Sequence, residues 1–434
     1  MFILFIFSQG HTIVGAGTTS QLTAMLTGVP EKDQPEARKG WSGASYVDRW
    51  NFIFKNLAEK NYVTTLSEHD MGTGAFHMRL KGFNKPPCDY FVRSLWLNMG
   101  SLVDQELSCA HQFNLRYAKD FFDAHRGFKK FAFVFNCFTH NTMDRIENAD
   151  DDMKNFLLEF EKSEHGQNTI VFLGGDHGLR SGSWRATIQG KLEERLPLLA
   201  VKVPSRFSKS FKKEMDNLRR NSQILTSHFD LYPTFHHLST FPQFDKKRSH
   251  KYGESLFSDI SKLNRTCADA GVEKHWCTCL NYAKVNPEKD ENVKKLIGKV
   301  IEYINKRNKE TAPDQCAVLE LKSVETAGRR TPNAEVNMFK DTRTRAGQCA
   351  SCDVVYDRSK KFTRFRYEVS FTVAPSDGMY EAEGDVVVQA NGSVDVRIDT
   401  EISRTNLYRD QPKCIVDTFP SLRPYCYCND FVKP

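Results

Sequence analysis

Val171-Phe-Leu-Gly-Gly-Asp-His-Gly178 decides the reading of this chain. An apolar run enters two glycines, and the segment then presents a carboxylate and an imidazole side by side. A strand that opens into a Gly-flanked Asp-His pair has the form of a divalent-cation site at the carboxyl end of a sheet strand. Neighbours on a strand point to opposite faces, so Gly174 and Gly175 are expected to supply the turn that lets Asp176 and His177 converge. A second stretch, Thr18-Thr-Ser-Gln-Leu-Thr-Ala-Met-Leu-Thr-Gly28, offers a hydroxyl for the cation to activate. The two stretches point to cation-assisted chemistry on a phosphate or sulfate ester.

Outward from these stretches, residues 1 to about 240 alternate apolar strands with amphipathic helices, as in an α/β sheet with helices on both faces. Strands are expected at Phe2–Phe7 (buried), Tyr62–Leu66, Lys129–Phe138 and Thr169–Leu173. Helices are expected at Ser20–Met25, Val47–Leu57, Leu115–Ala124, Ala149–Glu161, Ile188–Glu194 and Asp230–Leu238. A longer helix is expected from Pro287, placed at its first position, to about Lys309, with an apolar stripe from Val293 to Ile304. From Cys316 the pattern turns strand-like. The expected organisation is an α/β domain over 1–265, a Cys-containing helical connector over 266–315 and a small β module over 316–434.

Composition bounds the setting. The chain has 434 residues, 40% of them hydrophobic, with 32 Phe, enough for a well-buried interior. Its net charge of +7 comes from 61 basic and 54 acidic residues spread along the chain. Clusters such as Lys246-Lys-Arg248 and Lys360-Lys361 read as solvated surface, and no nucleic-acid-binding module surrounds them, which argues against a DNA or RNA partner. Of the 12 cysteines, nine lie from Cys267 onward. An even total in a Gly/Thr/Val-rich tail favours a disulfide framework in an oxidising compartment. Zinc is the rival for Cys349-Ala-Ser-Cys352, whose spacing suits a ligand pair. Asn264-Arg-Thr266 and Asn391-Gly-Ser393 are glycosylation acceptors, the second at the tip of an expected hairpin. Met1–Phe7 is too short to span a bilayer and lacks the basic region of a signal peptide. Cys137, inside an apolar strand, is expected to be a buried thiol, and His228, His236 and His237 to be structural.

The spacing of Thr18 nine residues before Thr27-Gly28 resembles the nucleophile segment of the alkaline-phosphatase and sulfatase superfamily. Further matches follow in that superfamily's order: Tyr62-Val-Thr64, Ser67-Glu-His-Asp-Met-Gly72, Phe138-Thr-His140, Asp176-His-Gly178, Gly190-Lys-Leu-Glu-Glu-Arg-Leu-Pro197 and Phe229-Asp-Leu-Tyr-Pro-Thr234. With Trp276-Cys-Thr-Cys279 and Tyr425-Cys-Tyr-Cys428, the whole chain resembles an animal extracellular family catalogued as domain of unknown function 229. The resemblance implies an alkaline-phosphatase-like central sheet flanked by helices, with a disulfide-rich β module at the carboxyl end. It departs from the superfamily upstream of Thr18. The first strand there ends in an Asp ligand, whereas none of the 17 residues before Thr18 is acidic, and Gln9 and His11 are the nearest polar candidates. The expectation is a first strand lying upstream of Met1, or a protein that no longer turns over substrate.

On this resemblance Asp176, His177 and Thr18 would hold a divalent cation, zinc by preference, with manganese or calcium as alternatives. Thr18 would then attack phosphorus as the nucleophile. His140, Lys191 and Arg180 would hold the non-bridging oxygens, and His69 and Asp70 are candidates for a further contact or ligand. The implied function is a secreted hydrolase or transferase acting on a phosphate mono- or diester. A non-catalytic extracellular binding protein is the alternative. A sulfatase is disfavoured, because Thr18 stands where sulfatases carry the cysteine that becomes formylglycine.

Overall fold

The computed structural model describes residues 5–69, 74–103, 110–137, 140, 145–241, 250–260, 265–279, 281–331, 362–389 and 391–432. The chain divides into two compact units, Met1–Arg180 with Gly190–Trp276, and Ser181–Gln189 with Cys277–Pro434.

The first unit contains, in chain order, β1 (Phe5–Phe7), β2 (Gly10–Thr12), α1 (Gly17–Thr27), α2 (Ile53–Ala58), β3 (Tyr62–His69), β4 (Tyr90–Phe91), α3 (Arg93–Val103), α4 (Ala110–Ala124), β5 (Lys129–Asn136), α5 (Arg145–Lys162), β6 (Val171–Gly174), α6 (Ile188–Arg195), β7 (Leu199–Lys202), α7 (Ser205–Ser210), α8 (Lys212–Asn221), β8 (Leu225–Ser227) and α9 (Leu231–Thr240). Its described strands pair in three groups. β4, β3 and β5 run parallel, as do β2 and β8, while β7 pairs antiparallel with both β1 and β6. The expected alternation of strands and helices is therefore present, in a mixed arrangement of parallel and antiparallel pairs.

An apolar core joins the helices and strands of this unit, beside a smaller cluster of Val92 and Trp96. Leu22, Met25 and Leu26 of α1, Ile53, Phe54 and Leu57 of α2, and Leu231, Tyr232 and Phe235 of α9 are buried together, with Phe131, Phe133 and Phe172 of the strands packed against them. Burying each such side chain contributes about 1.5–3 kcal/mol.

Several sequence expectations shift locally. The helix expected over Val47–Leu57 breaks into a short 3-10 turn at Val47–Arg49 and α2. Trp50 and Phe52 take extended backbone between them, which lets the Trp50 indole N–H reach the Pro35 carbonyl and stacks the two rings 6.2 Å apart. β1 is only partly buried, with Phe7 57% exposed, and ends the described order β1-β7-β6, so the described part of the strand expected at Phe2–Phe7 is not buried; residues 2–4 lie outside the described residues. Cys137 is half-buried rather than buried. His237 keeps its structural assignment, its Nδ1 lying 2.8 Å from Ser255 Oγ.

The second unit is built on an antiparallel sheet of β9 (Asn281–Lys284), β10 (Glu320–Thr331), β11 (Phe362–Ala374), β12 (Gly378–Gln389) and β13 (Val394–Ile398), with β14 (Ser403–Arg404) also paired to β12. The long helix α10 (Glu291–Thr311) lays Val293, Leu296, Ile297, Val300 and Ile304 onto Val369, Phe371, Ala382 and Val386 of this sheet. The helix and the sheet thus share one core. α10 starts after Pro287, because Asp290 accepts the Asn292 N–H and closes the first turn. Asn391 sits exposed at the tip of the β12–β13 hairpin, where Gly392 takes a φ of 84°. Cys316–Cys426 and Cys414–Cys428 are disulfides, and Cys267 and Cys277 are also disulfide-bonded, which removes these sulfurs as zinc ligands. Asn264, Asp70, Cys349 and Cys352 lie outside the described residues. Among the described residues no helix is long and apolar enough to cross a membrane.

Candidate active site

β6 delivers the Asp-His pair, and two backbone bonds hold the turn that follows it. Gly175 N–H donates to Leu198 O, and Gly178 N–H donates to Glu194 O at the end of α6, both at 3.0 Å. The glycines act by close approach rather than by unusual dihedrals, since neither Gly174 nor Gly175 has a positive φ. The tightest approach is at Gly178, where a Cβ would fall 2.2 Å from Glu193 O. The turn expected from Gly174 and Gly175 is therefore anchored chiefly at Gly178.

α1 brings the hydroxyl. Gly17 begins the helix with a φ of 66°, and Gln21 braces the preceding turn. The buried Gln21 amide donates to Gly15 O at 2.6 Å and accepts from Val14 N–H at 2.9 Å. Thr18, half-buried in the first turn, places Oγ1 3.3 Å from His177 Nε2. Asp176 Oδ2 lies 3.3 Å from the same nitrogen. Segments more than 150 residues apart in sequence thus meet at one point.

The proton positions around this point follow from His177 Nδ1, which lies 2.7 Å from Gly178 O. A carbonyl only accepts, so Nδ1 carries a proton and Nε2 is the ring nitrogen turned to Thr18 and Asp176. This nitrogen faces Asp176 Oδ2, a buried oxygen that accepts no hydrogen bond. A cation between that oxygen and an unprotonated Nε2 would satisfy both atoms. Four-coordinate zinc at 2.0–2.1 Å from its ligands sets neighbouring donors about 3.3 Å apart, the spacing found at both sides of Nε2. Asp176, His177 and Thr18 are thus the residues that could serve as donors to such an ion. The imidazole favours zinc or manganese over calcium.

Arg180 completes the cluster. Its guanidinium lies over the start of α1, with Nη1 only 2.0 Å from the point that a Cβ on Gly17 would occupy. Gly17 suits this position by its positive φ, and a Cβ there would displace the guanidinium. The first-turn N–H groups of α1 have no acceptor within the helix, so guanidinium and helix terminus together favour an anion beside Thr18.

His69, His140 and Lys191 stand on separate elements. His69 ends β3, buried with its ring edge-on to Trp96 at 4.8 Å. His140 is exposed on the bend after β5, whose Asn136 pairs with His69 in the parallel register. Lys191 is half-buried on α6. Asp230 of the Asp-x-x-Pro-Thr landmark is a structural anchor. It is fully buried and paired with Arg265, with Nη2 2.6 Å from Oδ1, and accepts the Ser227 and Glu254 N–H groups.

Sequence reasoning named His11 and His228 separately but missed that they meet behind the Asp-His turn. His228 Nε2 lies 2.7 Å from the Asp176 carbonyl, and His11 Nε2 lies 3.0 Å from His228 Nδ1. Burial lowers the pKa of both rings, that of His228 to about 4, so both are neutral near pH 7. No local pattern marks them, because parallel pairing of β2 with β8 brings His11 and His228 together across more than 200 residues.

No curated protein matches the chain. Residues 4–325 match the family model described as protein of unknown function, DUF229. With well over half of its residues covered, from β1 into β10, the chain belongs to the DUF229 family.

Proposed function

We propose that this protein is a metal-dependent phosphoester hydrolase or transferase of the alkaline-phosphatase-like class, working in an oxidising extracellular or secretory compartment. One observation carries the reading: Thr18 Oγ1 and Asp176 Oδ2 both lie 3.3 Å from Nε2 of His177. The disulfides support the compartment.

In this reading Asp176, His177 and Thr18 hold the cation. When bound, the metal lowers the pKa of the Thr18 hydroxyl and offsets charge on the phosphate. Thr18 Oγ1, its proton lost to solvent, attacks phosphorus, forming an O–P bond as the bond to the leaving alcohol breaks, and the alcohol departs with a proton from water. Water then displaces Thr18 in hydrolysis, and an acceptor alcohol does so in transfer. Arg180 and the first turn of α1 hold the non-bridging oxygens through the charge build-up of both steps. Thr18 at the nucleophile position favours phosphate over sulfate esters.

The test is turnover of chromogenic phosphate monoesters, phosphate diesters and sulfate esters by the full chain in zinc or manganese. The expected result is phosphoester cleavage by the wild type, none by Thr18→Ala, and a higher zinc requirement in Asp176→Asn. Equal rates in Thr18→Ala and wild type would remove the nucleophile assignment. Sulfate-ester turnover alone would revive the sulfatase alternative.

A further inference from the structure

We infer that His11 and His228 are positioning residues that set the Asp176–Gly178 turn from behind, through a hydrogen-bond chain with one possible direction. The inference rests on the cation site proposed above for its function, but its geometry is independent of any cation.

The chain reads backward from its last acceptor. Asp176 O can only accept, so His228 Nε2 donates to it at 2.7 Å. Neutral His228 then has a bare Nδ1, which accepts from His11 Nε2 at 3.0 Å. His11 Nδ1 is bare in turn and accepts from Thr226 Oγ1 at 3.1 Å. Thr226 has then used its only proton, so it accepts from Ser8 Oγ at 3.2 Å. Each donor along Ser8, Thr226, His11, His228 and Asp176 is fixed by the one after it, and aligned bonds of this kind polarise one another.

The rings have no slack. His11 and His228 are each 1% exposed, and they meet edge to face with centroids 4.6 Å apart. The chain ends on the peptide carbonyl of Asp176 itself, while the next peptides are held from the other side by Gly178 N–H on Glu194 O. Bonds on both sides of the turn leave Asp176 and His177 little freedom to rotate apart. A ligand pair held in this way needs no reorganisation when it binds, as with the outer-shell partners that orient metal ligands elsewhere.

The variants are His228→Phe, which keeps a ring but has no donor, and His228→Gln, whose amide N–H can reach the Asp176 carbonyl. Zinc affinity of the full chain is measured by competition with a chromogenic chelator. Amide hydrogen exchange is followed over residues 174–178, and thermal melting confirms folding. If His228→Phe does not fold, His228→Met replaces it as the donor-free variant. The expected result is zinc binding weakened about 10–100-fold by the donor-free variant and faster exchange in the turn. His228→Gln should stay within about threefold of wild type. Unchanged exchange in the donor-free variant, or a Gln variant as impaired as it is, would overturn the assignment. Should wild type bind no zinc, the cation reading fails alone, and exchange in the turn still decides the positioning role.

Discussion

Replacing Gly178 by Ala probes the packing that joins the Asp-His turn to α6. The added Cβ would lie 2.2 Å from Glu193 O, 2.7 Å from Glu193 C and 2.9 Å from Glu194 Cα. All three are helix backbone atoms, so no side chain can rotate out of the way. Reaching an ordinary contact requires the turn and the helix to part by about 1 Å, an overpacking cost of about 1–3 kcal/mol. The 3.0 Å bond from Gly178 N–H to Glu194 O stretches with it, adding about 1 kcal/mol. The expected loss of stability is about 2–4 kcal/mol. A displacement of about 1 Å next to His177 should also cost on the order of 10²-fold in phosphoester turnover. Gly175→Ala is the control. Its nearest neighbour would be Pro197 Cβ at 3.6 Å, and its φ is not positive, so the change should stay within about 0.5 kcal/mol. Urea denaturation and chromogenic turnover of both variants make the comparison. Equal stabilities for the two would refute the claim that Gly178 is chosen for close backbone approach.

Two further outcomes are expected. His228 has a pKa lowered from 6.5 to about 4 by burial, so on acidification the unfolded state takes a proton that the folded state refuses. Stability should therefore fall as pH drops from about 6.5 towards 4, by about 2.5 kcal/mol for this ring between pH 7 and 4.5. Urea titrations at the two pH values check this, and a His228→Gln variant with an undiminished slope would contradict it. In the second unit, Cys316–Cys426 closes a separation of 110 residues and Cys414–Cys428 one of 14. Chain entropy predicts losses of about 4–5 and about 3 kcal/mol respectively when each pair is changed to serine. Denaturation midpoints rank the two, and a larger loss from the short loop would argue against an entropic origin.

Much of the local structure was legible from pattern alone. The apolar stripe from Val293 to Ile304 reads as a helix because its spacing is helical whatever it packs against, and α10 buries that stripe. Asn391-Gly392 reads as a hairpin tip because few residue pairs accept its dihedrals. Asp176, His177 and Thr18 could be named because each lies in a short motif. The break at Trp50–Phe52 could not be read, since both residues fit a helical stripe until a distant carbonyl and ring set their backbone.

By itself, the sequence determined many of the helical and extended segments, which stretches carry chemistry-bearing side chains, and that the cysteine-rich tail favours oxidation. These follow from periodicity, turn chemistry and composition, which act over a few residues. Only tertiary structure decided that Thr18 and Asp176 meet at His177 Nε2, that Gly178 rather than Gly174 sets the turn, and that His11 and His228 stand behind it. Those contacts join residues as much as 217 positions apart. Strand pairing and core packing create such proximity, and no local preference encodes it.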